Sequence, residues 1–363
     1  MATTKSSTST ADRGACRGAN PNYRFAPCTP CTQVFPWLEL RSRLVGLAFI
    51  LLRRGNNALS AAANPPFDPW PALPYKDFAS TEYLLHRGLQ APGKLKLQLA
   101  FEPQWCHVPL WLTGSGLTTG PIPYVRGPYS VDVDLISHSV SCGTFWGARD
   151  GFALGTMSVA DFVSRLFAAL RRAGVETTIN MKPQEVPDPV PFDQDTQPRR
   201  YDPALANAWW RILASCQRVM QVFHARFKGK TQPIGLMWGT LDIRDVRYNG
   251  TPASAGTMTD YIRRNAMNEE LVEVGWWAGA ETYPRAAFYS FTYPQPPGIE
   301  KARISPVAAR WDSAMGEFLL DYDDLRKSSN PDADLLSFFE STYQAGAELG
   351  GWDPKLVGTG KPE

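Results

Sequence analysis

Two stretches of this chain follow the same order. His86 ends a helical stretch and is followed by Gly93-Lys94 and a run of strand-like segments. His224 ends a second helical stretch, followed by Gly229-Lys230 and another such run. Each run leads into an amphipathic helix, predicted at 158–173 in the first half and at 331–349 in the second. A chain with this order must bury alternating strands against flanking helices. That predicts an α+β fold with antiparallel sheets from two related helix–strands–helix halves and helices packed on one side. The halves are placed at about 76–182 and 201–350, joined by a crossing segment 183–200. Together they make one body over 67–355, with 356–363 as a flexible tail.

The strands are read from their period of two. Residues 95–101 (Leu-Lys-Leu-Gln-Leu-Ala-Phe) alternate strictly. Residues 107–113 carry Val108, Leu110 and Leu112 on one side, and 129–138 carry Val131, Val133 and Leu135 on one side. Glycine-rich breaks at 114–116 and 147–151 read as hairpin turns, so neighbouring strands are antiparallel. Further strands are predicted at about 233–247, 269–276, 286–293 and 316–321.

The helices carry their own start signals. A first helix is predicted at about 77–90. Ser158-Val-Ala-Asp161 forms a capping box ahead of the apolar face Val159, Phe162, Val163, Leu166 and Leu170, and Gly174 is a C-terminal cap. Asp202-Pro203 opens a long helix and Asn330-Pro331 opens the last one. Gly93-Lys94 and Gly229-Lys230 are not phosphate loops, because each is expected to precede a strand. They are read as helix caps, with the lysine against the helix dipole and the histidines at the helix ends. The proline-rich stretch Glu185–Asp195 excludes helix and central strand. Its Asp188, Asp193 and Asp195 are read as turn formers ahead of cation ligands.

Charge is uneven along the 363 residues. Residues 1–66 hold eight Lys/Arg against two Asp/Glu, a net +6, which leaves −4 on the rest from an overall +2. The body has no basic stripe, which argues against nucleic acid as a partner. Six cysteines are too few and scattered for a disulfide framework. Cys28-x-x-Cys31 has no second pair to complete a metal site, and Cys216 falls on an apolar helix face. Residues 1–66 are expected to be a disordered or targeting-like basic extension. The nine apolar residues Leu44–Leu52 are far too short for a membrane span. Cytoplasmic placement follows, or organellar placement if the extension is a transit peptide.

Chemistry has few candidates. No nucleophile elbow, zincin motif or dinucleotide fingerprint is present. No cofactor is named by the sequence, and no metal ligands are assigned. Of the four histidines, His107 and His138 fall opposite the aliphatic sides of their strands. Their face is either solvent or the lining of a cavity. They are the catalytic candidates. Lys94, Thr118 and Thr119 are candidates for polar ligand contacts, and Trp111, Trp238 and Asp242 for the rest of the lining. Trp238-Gly-Thr-Leu-Asp242 sets an acid beside an aromatic, where a carboxyl pKa can rise.

A set of spaced motifs resembles a known family. They are Trp70-Pro-Ala-Leu-Pro-Tyr75, His86-x3-Gln90-x2-Gly93-Lys94, His107-Val, and Gly116-Leu-Thr-Thr with Ile122-Pro-Tyr. Ser158-Val-Ala-Asp-Phe162, Pro187-Asp-Pro-Val-Pro-Phe192, Tyr201-Asp-Pro203 and Phe227-x-Gly-Lys230 continue the pattern, followed by Trp238-Gly239, Gly316-Glu-Phe318 and Ser341-Thr-x-Tyr343. Over roughly 67–355 the chain resembles the domain of unknown function 5996 family, a family without an assigned activity. Its members carry further histidines where this chain has Gln104, Gly235 and Glu269, so any histidine-based metal chemistry in the family would be lost or altered here. Two function classes follow. One is an enzyme acting on a small polar molecule in a pocket between the halves, with His107 or His138 as base. The alternative is a non-catalytic ligand-binding module lined by Trp111, Trp238 and aromatics such as Tyr289, or a structural or interaction protein.

Overall fold

The computed structural model describes residues 68–254 and 260–358. The basic extension, with its Cys28-x-x-Cys31 pair, lies outside the described residues. Helix α1 (Tyr75–Leu95) leads into a five-stranded meander. Its strands are β1 (Trp111–Leu112), β2 (Gly116–Thr118), β3 (Tyr129–Asp134), β4 (Ser139–Thr144) and β5 (Arg149–Ala153). Helices α2 (Val159–Arg172) and α3 (Pro203–His224) follow, separated by the crossing segment. The second sheet holds seven strands: β6 (Lys230–Thr231), β7 (Gly235–Met237), β8 (Asp242–Pro252), β9 (Glu269–Trp277), β10 (Ala287–Tyr293), β11 (Arg310–Asp312) and β12 (Glu317–Asp321). A short α4 (Tyr261–Ala266) precedes β9, and α5 (Tyr322–Arg326) and α6 (Pro331–Leu349) end the body. Every strand pair is antiparallel. The second sheet has the order β11-β12-β10-β9-β8-β6, with β7 also on β8. The fold is α+β.

The helix starts follow the local chemistry read from the sequence. Ser158 Oγ accepts from the Asp161 N–H while the Asp161 carboxylate accepts from the Ser158 N–H, and Gly174 (φ 82°) follows the end of α2. Asp202 caps α3 by accepting from the Ala204 and Leu205 N–H groups, and Asn330 caps α6 by accepting from Ala333.

Several expectations are corrected. Residues 95–101 are not a strand: α1 runs through Leu95 and a 3-10 turn takes Lys96–Gln98. The alternation of Leu95, Leu97 and Leu99 loses to the helix, because the C-terminal half of α1 through Leu95 is buried on all sides while Leu97 beyond it is left exposed. His86 sits inside α1, bonded to Glu82 and to the Gly239 carbonyl, rather than at a helix end. Gly93 is a helix-interior residue. A Cβ there would land on the indole of Trp238, so glycine is required for close packing and not for a cap. The 107–113 strand shrinks to Trp111–Leu112, and His138 lies in the β3–β4 turn with φ 52°. Residues 356–358 are tied down: Lys228 N–H donates to Leu356 O at 2.7 Å and Gly358 N–H to Arg226 O at 2.6 Å.

The order helix–antiparallel sheet–helix recurs in both halves, but duplication is not confirmed: the first sheet is a simple meander and the second is not. The sheets differ in strand number, and Lys94 is helical whereas Lys230 is in a strand. The two sheets meet at their edges, where Leu110 and Leu236 exchange backbone hydrogen bonds of 2.9 Å each.

The seven-stranded sheet has two unlike faces. Ile243, Val272, Val274, Trp276, Phe288 and Leu320 share one face and are 0–1% exposed. Helices α3 and α6 pack there, with Phe339 of α6 against Phe288 and Phe223 of α3 under the Arg247 guanidinium. The other face carries Asp242, Arg244, Glu273, Trp277, Tyr289 and Glu317 by the same register. No helix among the described residues is long and apolar enough to cross a membrane.

The Gly93–Trp238 contact gives a test of sign. Glycine to alanine inside a helix ordinarily stabilises by about 1 kcal/mol. Here Gly93→Ala is expected to destabilise by about 1–3 kcal/mol through overpacking, seen in thermal melts as a drop of several degrees. An unchanged or raised Tm would mean that the indole yields freely.

Candidate functional site

The polar face of the second sheet is the floor of a cavity of about 580 Å³. Gly275 makes its centre possible. A Cβ on Gly275 would coincide with the Tyr289 ring, so the bare backbone lets that side chain cross β9. Its hydroxyl oxygen lies 2.5 Å from Asp242 Oδ2 on β8 and 2.9 Å from Glu273 Oε1 on β9. Asp242 Oδ1 accepts from the Thr240 hydroxyl. A phenol has a single proton to donate. Both carboxyl contacts are satisfied together only when a second proton resides on one of the carboxyls.

Among the described residues, Arg244 is the one cation bonded into this cluster. It donates to Glu273 Oε2 at 3.1 Å and to Gln232 Oε1 at 3.1 Å. Burial works against its charge, but Glu273 and Asp242 outweigh burial and hold it protonated. Gln232 is itself buried, donating to Gln104 O at 2.8 Å and contacting the Tyr248 hydroxyl at 2.5 Å.

Three carboxyl groups of this site, Glu273, Glu317 and Glu185, are held above their ordinary range. Burial raises Glu273 despite the opposing Arg244, with Asp242 adding to the rise. Glu317, opposite Asp312 at the β11–β12 pair, is pushed up to about 8 by burial and then by Glu273, Asp312 and Asp242. Burial also raises Tyr289 far above a free phenol, and its two carboxyl neighbours add to that. Glu185 enters from the crossing segment. Its side chain remains exposed, yet the desolvation it does feel, and then Asp242, raise its pKa. Trp105, Trp277, Phe291, Met237 and Ile262 supply the apolar walls, and Arg263 is the second cation of the lining.

Backbone strain concentrates here. Five described non-glycine residues have φ in the left-handed region, and Trp105 (65°) and Glu185 (55°) line the cavity. Leu241 (57°) immediately precedes Asp242, and Gln104 (53°) bonds Gln232. Such conformations persist only where surrounding contacts over-determine them, and they cluster at functional sites. The contacts that hold Glu185 come from α1. Gln90 exchanges side-chain hydrogen bonds with the Gln184 backbone at 2.8 and 2.9 Å, and Lys94 Nζ donates to the Asn180 and Lys182 carbonyls.

The residues singled out from the sequence are dispersed. Asp242 lines the main cavity, and Tyr289 crosses its floor. His107 and Trp238 line a neighbouring cavity, with the Trp238 indole donating to Val108 O at 3.0 Å. His107 is buried in a turn beside Phe101 and Trp105, and burial lowers its pKa. His138 is held by the Tyr201 hydroxyl at 2.8 Å, so the two histidines engage different partners, and His138 does not line the cavity that holds His107. Lys94 is buried under the crossing segment, and burial lowers its pKa to about 8. Trp111 lies under the Lys96 ammonium at 4.1 Å. The Thr118 and Thr119 hydroxyls are spent on their own turn, with Gly120 and Val131.

Glu273, Arg244, Glu317, Trp277 and Glu185 were not identified from the sequence. One signal was available: in Glu269–Trp277 the positions Glu273, Gly275 and Trp277 share a parity, opposite Val272, Val274 and Trp276. An acid, a glycine and an aromatic on one face of an otherwise apolar strand mark a face turned to something other than core. Among the described residues, no three His, Cys, Asp or Glu side chains are grouped so as to hold a metal ion.

Comparison with curated proteins and with solved structures gives no match. A family model does match, over residues 70–359, and it spans both sheets and the cavity floor. The chain belongs to the family of unknown function DUF5996.

Proposed function

We propose that the protein binds a small organic cation in the cavity over the polar face of the second sheet. The observation that carries this reading is unmatched negative charge among aromatic walls. Four acids, Glu185, Asp242, Glu273 and Glu317, line the cavity against Arg244 and Arg263, and Arg244 is already committed to Glu273. Protons on the raised carboxyls stand in for the missing positive charge. An ammonium group would replace them, and Trp277, Trp105, Tyr289 and Phe291 offer ring faces and apolar area suited to an organic cation. Binding of a small molecule in the cytoplasm is the biological setting we attach to this reading.

The linkage has a definite sign. Glu317, protonated below about 8 in the free protein, must lose its proton to pair with a cation. Affinity for tetramethylammonium, whose charge does not titrate, should therefore rise with pH, by up to roughly tenfold per unit below that value, and level off above it. Calorimetric titrations between pH 6 and 9 check this. Glu317→Gln should flatten the Glu317 part of the profile, and a profile unchanged by that substitution would remove Glu317 from the site.

The floor gives an independent test. Gly275→Ala puts a methyl where the Tyr289 ring lies, so the hydroxyl can no longer bridge Asp242 and Glu273. Binding should weaken by roughly tenfold or more, the scale of one misplaced charge-assisted hydrogen bond, with the circular dichroism spectrum retained. Undiminished binding would place the cation elsewhere.

Catalysis is a second reading, favoured by Glu317 itself. A carboxyl protonated near neutrality beside ionisable neighbours is the state required of a general acid. Mass spectrometry of amines incubated with the protein decides it. Conversion that is lost in Glu317→Gln while binding persists would make this an enzyme, and unaltered amines would leave it a binding protein.

A further inference from the structure

A second cavity of about 340 Å³ adjoins the first and shares Trp105, Glu185, Met237 and Ile262 with it. It forms where four parts of the chain meet: the 97–108 segment, the crossing segment at 184–185, residues 237–239, and α4. Its character is different. Leu97, Leu99, Phe101, Val108, Trp238 and Tyr261 make it apolar, and the shared Glu185 is its one acid among the described residues. His107 adds no charge. Its Nδ1 accepts from the Glu102 N–H at 3.2 Å, which leaves the single proton of the neutral ring on Nε2, and burial lowers its pKa.

Three large apolar side chains of this annex remain open to solvent: Leu97 at 45%, Phe101 at 50% and Tyr261 at 60%. A lining of this kind gains by being covered. The shared residues set the annex directly beside the charged cavity, so a ligand passing between Trp105 and Met237 reaches both. Its volume exceeds the roughly 150 Å³ that accepts a benzene ring in an apolar protein cavity.

Resting on the cation reading above, we propose that the ligand is an arylalkyl cation, with its ammonium group among the carboxyls and its aromatic ring in the annex. Trp105 and Met237 stand at the junction and contact the linking carbons. The charged cavity supplies attraction for any cation, and the annex selects those that carry a flat apolar group.

The test compares tetramethylammonium, benzyltrimethylammonium and phenylethyltrimethylammonium on the full chain by calorimetry. The aryl compounds should bind roughly ten- to a hundredfold more tightly, the gain expected from burying one ring. Phe101→Ala and Tyr261→Ala, both at exposed positions, should reduce that aryl gain several-fold. Tetramethylammonium binding with no aryl gain would overturn the annex and leave the cation reading standing. An aryl gain that survives both substitutions would overturn the annex by placing the ring elsewhere. Failure of all three probes to bind would overturn both.

Discussion

The period-two alternation of the seven-stranded sheet is the constraint on which the remainder depends. Antiparallel register sends Ile243, Trp276, Phe288 and Leu320 to one side and Asp242, Glu273, Tyr289 and Glu317 to the other. The first side is covered by α3 and α6 and supplies apolar burial. That support lets the second side carry side chains that contribute little to stability and lean against one another. A slip of one residue in any strand would exchange the two sets, placing carboxyls under the helices. The core therefore specifies the site's geometry, although Ile243, Trp276, Phe288 and Leu320 do not line it.

The cavity is also an electrostatic compromise. Buried carboxyls without enough cations either separate or take up protons, and here the register forbids separation. Tyr289 lies neutral between Asp242 and Glu273, Arg244 neutralises one charge, and Glu317 keeps its proton to about 8. Each of these side chains restricts the others, so the site is pre-organised with its negative charge held in reserve. Backbone strain at Trp105, Glu185 and Leu241 belongs to the same arrangement. It is sustained from outside the cavity, where Gln90 and Lys94 fasten the crossing segment to α1. Lys94, a candidate for ligand contact by sequence, holds the chain that carries Glu185.

Much of the fold was legible because it is written locally. The α2 capping box, the Asp202 and Asn330 caps, and strands β3, β9, β10 and β12 all have signals that lie within a few residues of one another. The misreadings fall where a local pattern fits two structures. Leu95-x-Leu97-x-Leu99 alternates like a strand yet continues a helix, since the buried positions are set by what α1 packs against. Gly93 reads as a cap until Trp238, 145 positions along the chain, occupies the space where its Cβ would be.

By itself the sequence determined the α+β class, the antiparallel pairing, the helix starts and the family, because each rests on spacing, end chemistry or an ordered set of motifs. It also placed Asp242 and Tyr289 among the residues of interest. Only the tertiary structure decided which acids meet. Asp242, Glu273, Tyr289 and Glu317 come from four strands, and Glu185 comes from a loop far upstream. Their pKa values depend on mutual distance and shared burial, which a one-dimensional pattern does not contain. The same reason separates His107 from His138: alternation assigns a side chain to a face of a strand, but both residues lie in turns, where that period no longer applies.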